Sequence, residues 1–288
     1  MGLQPRDRWE FLVVSEQNLK SVESHFAFGR NWASYAALID EPRIEEATRG
    51  LLKLVHADQF KGRSFLDIGC GSGLHALAAY RLGVSRIMAV DIDPDSVATS
   101  RSVLAGSGAR TPWRCESMSV FDLDPARHGT FDIVYSWGVL HHTGNMWEAI
   151  GKAASMVAPN GLLVIALYRR TRMDPFWKVE KRLYAHAPRA IQSLVRAGYV
   201  AAFRLATLVT GRSFRNYVAN YNSSRGMDFY HDVHDWLGGY PYETALAPEV
   251  EIKLTKLGFE AERVFARPMS RGIFGSGCDE YVYRAATV

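Results

Sequence analysis

The chain has 288 residues, of which 48% are hydrophobic and 22% charged, a composition typical of a soluble globular protein with ample length for a buried core. Its three cysteines, Cys70, Cys115 and Cys278, are too few and too scattered for a disulfide framework or a zinc site. The first ten residues are charged and lack the apolar segment of a signal peptide, so we expect a cytoplasmic protein.

The formal charge of +4 is distributed unevenly. Residues 168–225 contain twelve Lys or Arg and two acids, a local charge of +10, which leaves −6 on the rest of the chain. Because most of these arginines alternate with apolar residues, three interpretations stay open. The segment is a lid over an active site, an interfacial element on anionic lipid, or a docking surface for an acidic partner. A membrane span is disfavoured, since each mid-span Arg costs about 2.5–3.5 kcal/mol.

Residues 1–60 predict mostly helix, with apolar residues at near-helical spacing. An aromatic-rich stretch precedes the periodic part. Its residues Phe28, Trp32 and Tyr35 either line a binding pocket or pack this helical segment.

A strand, a glycine-rich turn and a helix follow from residue 65. The strand ends in Asp67 and Ile68, and glycines stand at 69, 71 and 73, before a predicted helix over 74–82. Glycine is needed where the backbone turns with positive φ or approaches a ligand closely. This loop therefore predicts a ligand site at the start of a helix.

Four further parallel-type strands are predicted at 86–91, 111–115, 131–136 and 162–168. The strand 86–91 ends in Asp91, whose carboxylate can accept hydrogen bonds from two ribose hydroxyls. Asp93-Pro94 then caps a helix. Ligands of such sheets lie beyond the carboxyl ends of the strands. The loop Trp137–His142 after the fourth strand is therefore expected to meet the ligand.

The basic segment predicts helices that begin at Asp174 and Pro188, the second ending at Gly211. Residues 224–243 then contain two His-Asp pairs and several aromatic rings, a mixture typical of a substrate pocket, for which Tyr230, Trp236 and Tyr240 are the candidates. A metal site at His231, His234 and Asp235 matches no standard ligand spacing, and we expect no metal. A helix over 248–257 and strands over 259–266 and 280–284 close the chain.

The pattern from Asp67 to Gly73, together with Asp91 and the strand and loop over 131–142, resembles the class I S-adenosylmethionine (SAM) methyltransferases. Within these methyltransferases, the pattern is most similar to the small-molecule branch, which includes the ubiquinone-biosynthesis O-methyltransferases. The resemblance implies an α/β, Rossmann-like fold with a seven-stranded sheet, helices on both faces and an antiparallel last strand. It implies an N-terminal helical cap over 1–60, a SAM-binding core over 61–168, a helical lid or substrate insertion over 169–245, and completion of the sheet over 246–288.

SAM is the implied cofactor, and the residues placed around it are Asp67, Gly69, Cys70, Gly71, Gly73, Asp91, Ile92, Ser119, Val120, Ser136 and Trp137. Ser119 stands where the family usually has an acid near adenine, so it replaces that contact only in part.

The implied reaction is in-line methyl transfer to a small, aromatic or amphipathic acceptor. A base is needed only if the accepting atom carries a proton. The candidates are His141 and His142, then His231 and His234 with Asp232 or Asp235 as orienting partners; the alternative for each is a structural histidine.

Two other functions stay open. One is an RNA methyltransferase, although the apolar setting of the arginines makes a nucleic-acid partner improbable. The other is a non-catalytic SAM-binding subunit. Peripheral contact with an anionic membrane through residues 169–225 is a separate expectation, and the oligomeric state is not predicted.

Overall fold

Seven strands form one mixed sheet. The computed structural model describes residues 39–221 and 228–286, so Phe28, Trp32 and Tyr35 lie outside the described residues. The strands are β1 Ser64–Ile68, β2 Arg86–Asp91, β3 Trp113–Ser117, β4 Phe131–Trp137, β5 Val157–Tyr168, β6 Phe259–Phe265 and β7 Cys278–Ala285. Their order is β3-β2-β1-β4-β5-β7-β6, with β7 antiparallel to both of its neighbours. The expected sheet and its antiparallel last strand are confirmed.

Helices connect and cover the strands. Their bounds are α1 Glu41–Leu54, α2 Leu74–Arg81, α3 Pro94–Gly106, α4 Pro125–His128, α5 Met146–Ser155, α6 Asp174–His186, α7 Arg189–Val209, α8 Phe214–Ala219, α9 Phe229–Gly238 and α10 Ala247–Lys256. Single 3-10 turns lie at Ala57–Gln59, Val120–Asp122 and Leu140–His142. The expected cap of α3 is confirmed, because Asp93 Oδ1 accepts the Asp95 N–H at 2.9 Å and Pro94 follows it.

Side chains alternate between two apolar layers, because successive residues of a strand point to opposite faces. Leu66 and Ile68 of β1 pack with α5 and α10, whereas Phe65 packs on the other face with α1 and α2. Both layers are fully enclosed. The sheet is therefore the middle layer of three, and its strands are apolar on both faces.

The strand order reverses between β1 and β4, where the chain returns to the centre of the sheet after building β2 and β3. Ligands of open α/β sheets bind at such a point, beyond the carboxyl ends of the strands. The loops after β1 and β4 meet there. An added Cβ on Gly69 would stand 2.3 Å from Cγ2 of Val139, so the two loops are in direct contact.

Residues 169–245 are tied to the core at both ends. Arg169 pairs with the buried carboxylate of Asp279 at 2.6 Å. At the other end, the Ala245 N–H donates to the Tyr168 carbonyl at 3.0 Å, and Asp174 accepts the Thr244 hydroxyl at 2.6 Å, which joins the two ends of the segment. The helices α6 to α9 are thus held close to the carboxyl edge of the sheet.

Helix α9 was not expected from the polar and aromatic sequence that forms it. Asp228 caps it by accepting the N–H groups of Tyr230 and His231. Phe229, Val233 and Leu237 recur every fourth residue and are buried together. Among the described residues, no helix is both long and apolar enough to cross a membrane.

Candidate functional site at the carboxyl edge of the sheet

The glycine loop joins β1 to α2 as expected. Gly69, Gly71 and Gly73 have φ values of 76°, 51° and 78°, the left-handed region that glycine adopts without steric cost. At Gly73, which precedes the first turn of α2, an added Cβ would stand 2.9 Å from Cα of Ser100 in α3. The glycines therefore bring the loop, α2 and α3 into close contact.

One buried and one half-buried carboxyl group lie beside this loop. Asp91 Oδ2 accepts the Gly71 N–H at 3.0 Å, and its Oδ1 accepts the Asp93 N–H at 2.9 Å. Asp67 is 3% exposed, and its Oδ2 has no hydrogen-bond partner among the described residues. Burial, with the nearby charge of Asp91, raises the pKa of Asp67 to about 7, and burial raises the pKa of Asp91 to about 6.

The remaining residues expected at the cofactor have varied surroundings. Ser136 is fully buried and donates its hydroxyl to the Ile68 carbonyl at 3.0 Å, which joins the ends of β1 and β4. Ser119 caps a 3-10 turn in which Val120 belongs to the core. Cys70 is buried near Ser100, Ile92 is half-buried after β2, and the Trp137 indole N–H donates to Glu280 on β7 at 3.0 Å.

His141 and His142 lie in the turn after β4, and both are buried. Nδ1 of His141 accepts the Tyr168 N–H at 3.3 Å, and its Nε2 is buried without a hydrogen-bond partner among the described residues. Burial, with the charges of His142 and Lys181, holds the pKa of His141 well below its ordinary value. Nδ1 of His142 is 2.7 Å from the Pro241 carbonyl oxygen.

The ring of Tyr168 covers these histidines, and Trp236 of α9 packs on Tyr168. Tyr168, at the end of β5, has its ring centre 3.9 Å from that of His141 and 5.1 Å from that of Trp236 on α9. The indole N–H of Trp236 is buried and unpartnered among the described residues. Two unsatisfied nitrogens, on His141 and Trp236, thus border the same tyrosine ring. Buried polar atoms normally have partners, so this region suits a polar ligand.

Sequence reasoning missed Lys181 in this region. The side chain is 0% exposed, and Nζ donates to the Trp236 carbonyl and lies 3.5 Å from the centre of the Trp236 ring. The rings of Tyr242 and Trp177 are 5.2 Å and 5.8 Å from Nζ. Burial lowers the pKa of Lys181 and raises that of the neighbouring Glu180. The only sequence signal was a lysine on the same helix face as Trp177.

The other two candidate histidines, His231 and His234, lie elsewhere. His231 and His234 line a groove between α7 and α9, and so does Tyr230, which is exposed. His231 Nδ1 pairs with Asp228 at 2.9 Å, whereas His234 Nδ1 contacts the hydroxyl of Tyr184 at 2.8 Å. Asp232 and Asp235, the acids expected to orient these histidines, lie in different environments.

Asp232 accepts a hydrogen bond from the Tyr221 hydroxyl, and Asp235 is buried. The Tyr240 ring packs against His186, at 5.6 Å between ring centres. No cluster of three or more His, Cys, Asp or Glu side chains that could hold a metal ion occurs within residues 39–221 and 228–286.

The expected cofactor fits the loop and its carboxyl groups. SAM carries a sulfonium and an ammonium charge and a ribose with two hydroxyls. Asp67 is buried and Asp91 half-buried, no cation pairs with them among the described residues, and Asp67 has an unsatisfied oxygen. A cationic ligand would stabilise both ionised carboxylates.

Comparison with known proteins agrees with this geometry. A family model described as a methyltransferase domain matches residues 39–223. A ubiquinone biosynthesis O-methyltransferase of Xanthomonas euvesicatoria pv. vesicatoria is 32% identical over 113 residues, which are 39% of this chain and 46% of that protein. One from Caulobacter sp. is 32% identical over 112 residues, 39% of this chain and 43% of that protein. The matched stretch therefore spans less than half the length of these curated relatives.

Among solved structures, the magnesium protoporphyrin IX methyltransferase of Synechocystis PCC 6803 with bound SAH has a TM-score of 0.51 at 14% identity, covering 85% of this chain and 84% of that one. At this identity the likeness concerns the fold alone. The family match, in contrast, extends over well over half of the chain. The chain therefore belongs to the methyltransferase domain family, with the class I fold and S-adenosylmethionine as its cofactor.

Proposed function

We propose that the protein transfers a methyl group from SAM to a hydroxyl oxygen of a small aromatic or amphipathic acceptor, which binds between the turn after β4 and the rings of α6 and α9. The observation that carries the proposal is the pair of buried histidines next to the glycine loop, covered by Tyr168, on which Trp236 packs. Bound SAM supplies an activated methyl group. The side chains then need only align the acceptor, exclude water and take up its proton.

His142 is proposed as the base. Its Nδ1 faces a carbonyl oxygen, which only accepts hydrogen bonds, so Nδ1 carries the proton and Nε2 is the basic nitrogen. His141 has the opposite arrangement. Its Nδ1 accepts the Tyr168 N–H, so in the neutral ring Nε2 carries the proton and can donate to an acceptor oxygen. The two histidines therefore have complementary roles, one accepting a proton and one orienting the acceptor.

The aromatic rings support an apolar, planar acceptor. Tyr168, Trp236 and Tyr242 contact one another at ring distances of 5.1–6.2 Å and provide flat apolar surface. The relatives are O-methyltransferases of ubiquinone biosynthesis, and their names support an oxygen acceptor on a related type of molecule.

The test uses catechol and 3,4-dihydroxybenzoate as acceptor probes and measures the S-adenosylhomocysteine formed. We expect turnover with at least one probe. His142→Ala should lower kcat at least about 100-fold, the usual contribution of a general base, with the Kd of SAM unchanged. His186→Ala is the control, since His186 is an exposed histidine on α6. An undiminished rate in His142→Ala would refute the base assignment.

We also propose that α6 and α7 contact an anionic membrane surface. Large apolar side chains are exposed on these two helices, and they form what we call the α6–α7 apolar face: Phe176, Val179, Leu183, Ile191, Leu194, Val195, Leu205, Leu208 and Val209. The acids of residues 169–221, Asp174 and Glu180, are both partly buried, whereas Lys178, Arg182 and Arg189 are exposed. Basic charge around an apolar face suits anionic lipid, and a second copy would bring like charges together.

Co-sedimentation with phosphatidylcholine vesicles, with and without phosphatidylglycerol, tests this contact. We expect binding only with the anionic lipid, and loss of most of it in Leu205→Asp, where the side chain is 63% exposed. Ile252→Asp is the matched control, because Ile252 is 56% exposed on α10, outside this face. Equal sedimentation of both variants and the unaltered protein would contradict the proposal.

A further inference from the structure

A groove of about 700 Å³ runs between α7 and α9 on the insertion. It is lined by residues of α7, by Phe214 of α8, and by Tyr230, His231, Val233 and His234 of α9. None of these belongs to the glycine loop or to the turn with His141 and His142. The groove is therefore a second candidate site, separate from the proposed methyl-transfer site.

Two arginines of this groove have no anionic partner within residues 39–221 and 228–286. Arg196 is half-buried, and its guanidinium contacts His234 Nδ1 at 3.0 Å and the Tyr184 hydroxyl, which are both neutral groups. No carboxylate lies within 4 Å of it among the described residues. Withdrawing a guanidinium from water without a counter-charge is costly, so the position favours an anion.

Arg204 adds a second cationic group along the same helix. Its guanidinium forms no ion pair or hydrogen bond with any residue of the described ranges, 39–221 and 228–286. Arg196 and Arg204 are eight residues apart, which is about 12 Å along a helix. Burial, with the charges of Arg196 and His231, lowers the pKa of His234 to about 4, so His234 is neutral near pH 7.

The surface between the two arginines is apolar. Ala197, Val200 and Ala201 lie between them on α7, and Phe214 and Val233 face them across the groove. A free inorganic anion would leave this surface in contact with water. A ligand with an anionic head and an apolar body would satisfy both parts of the lining.

We propose that the groove binds an organic anion with an apolar body, whose carboxylate or phosphate pairs with Arg196 and whose body lies on Val200, Phe214 and Val233, in the direction of Arg204. Guanidinium groups bind both kinds of head bidentately, so the chemistry shared by the two is an oxyanion on an apolar chain. The inference does not depend on which molecule accepts the methyl group.

Isothermal titration calorimetry of the full chain tests the groove with decanoate and decyl phosphate as probes, and with decanol and inorganic phosphate for comparison. We expect saturable binding of at least one anionic probe. Decanol and inorganic phosphate should each bind at least about tenfold more weakly, because each lacks one half of the ligand. Whichever anionic probe binds more tightly identifies the preferred head group.

Three arginine variants locate the binding. Arg196→Gln should weaken the anionic probe at least about tenfold, the usual effect of losing a charge-assisted hydrogen bond. Arg204→Gln removes a more distant, exposed charge and should weaken it about two- to fivefold. Arg189→Gln, an exposed position on the same helix that does not line the groove, should change affinity less than about twofold. Arg204 is exposed, so its variant remains informative if Arg196→Gln fails to fold.

Several results would overturn the assignment. They are no saturable binding of either anion, equal binding of decanol, binding of inorganic phosphate as tight as that of decyl phosphate, and equal loss of affinity in all three variants. The last result would point to general charge attraction by the basic helices, including the α6–α7 apolar face.

Discussion

Protonation of Asp67 should control cofactor affinity near neutral pH. The pKa of this buried carboxyl is raised to about 7, and SAM as a cation favours the ionised form. At pH 8 about 90% of the carboxyl is ionised, against about 3% at pH 5.5. Protonation of Asp67 alone should therefore lower the affinity for SAM about 30-fold from pH 8 to pH 5.5, equivalent to about 2 kcal/mol. Calorimetric titration of SAM across this range, in buffers that differ in ionisation enthalpy, measures both the affinity and the proton released on binding.

Asp67→Asn isolates the effect. The variant should lose the inflection near pH 7 and keep the weaker one near pH 6, which belongs to Asp91. The ligand-free protein should also lose stability as the pH rises from about 4 to about 7, because native Asp67 keeps a proton that the unfolded chain has released. Asp67→Asn should abolish that slope in urea unfolding. An affinity independent of pH in the unaltered protein would refute the reasoning.

Two further substitutions test packing and buried charge. Gly73→Ala should destabilise the protein by about 1–3 kcal/mol more than Gly62→Ala, since both have φ near +75° but only Gly73 faces a close neighbour, at 2.9 Å. Equal urea midpoints of the two variants would show that α3 moves to accommodate the added methyl group without loss of stability. Lys181→Met should remove the rise in stability expected between pH 7 and pH 10, where the unfolded chain holds a proton that buried Lys181 has lost. Lys178→Met, which replaces an exposed lysine on the same helix, should retain the rise in stability. An unchanged rise in Lys181→Met would contradict the lowered pKa of Lys181.

The core of the fold could be predicted because its signals are local. The apolar runs that form β1, β2 and β4, the glycines after Ile68 and the acid at Asp91 are each contained in a short window of sequence. The first residues of two strands differ from the prediction. β3 begins at Trp113, two residues later than expected, and β5 begins at Val157 rather than at Leu162. These ends depend on pairing with neighbouring strands, which the sequence of one strand does not contain.

The surroundings of the histidines could not be predicted, because they depend on contacts between distant segments. His142 meets the Pro241 carbonyl 99 residues away, and Lys181 meets Trp236 across 55 residues. Both histidine pairs were candidate bases from the sequence, yet His141 and His142 are covered by Tyr168, whereas His231 and His234 line a groove with Arg196. Burial and partners, rather than residue type, separate the two pairs.

The position of β7 has a consequence for how the protein folds. Among the described residues β6 pairs only with β7, which lies between it and β5, so β6 joins the sheet only after β7 has been synthesised and inserted. Arg169 finds its carboxylate partner on the same strand, at Asp279, across 110 residues. Such distant pairings form late, because the intervening chain loses much conformational freedom before they contribute. The emerging chain should therefore hold β1 to β5 paired while one edge of β5 stays open, and chaperones that protect exposed strand edges would act at that stage of synthesis.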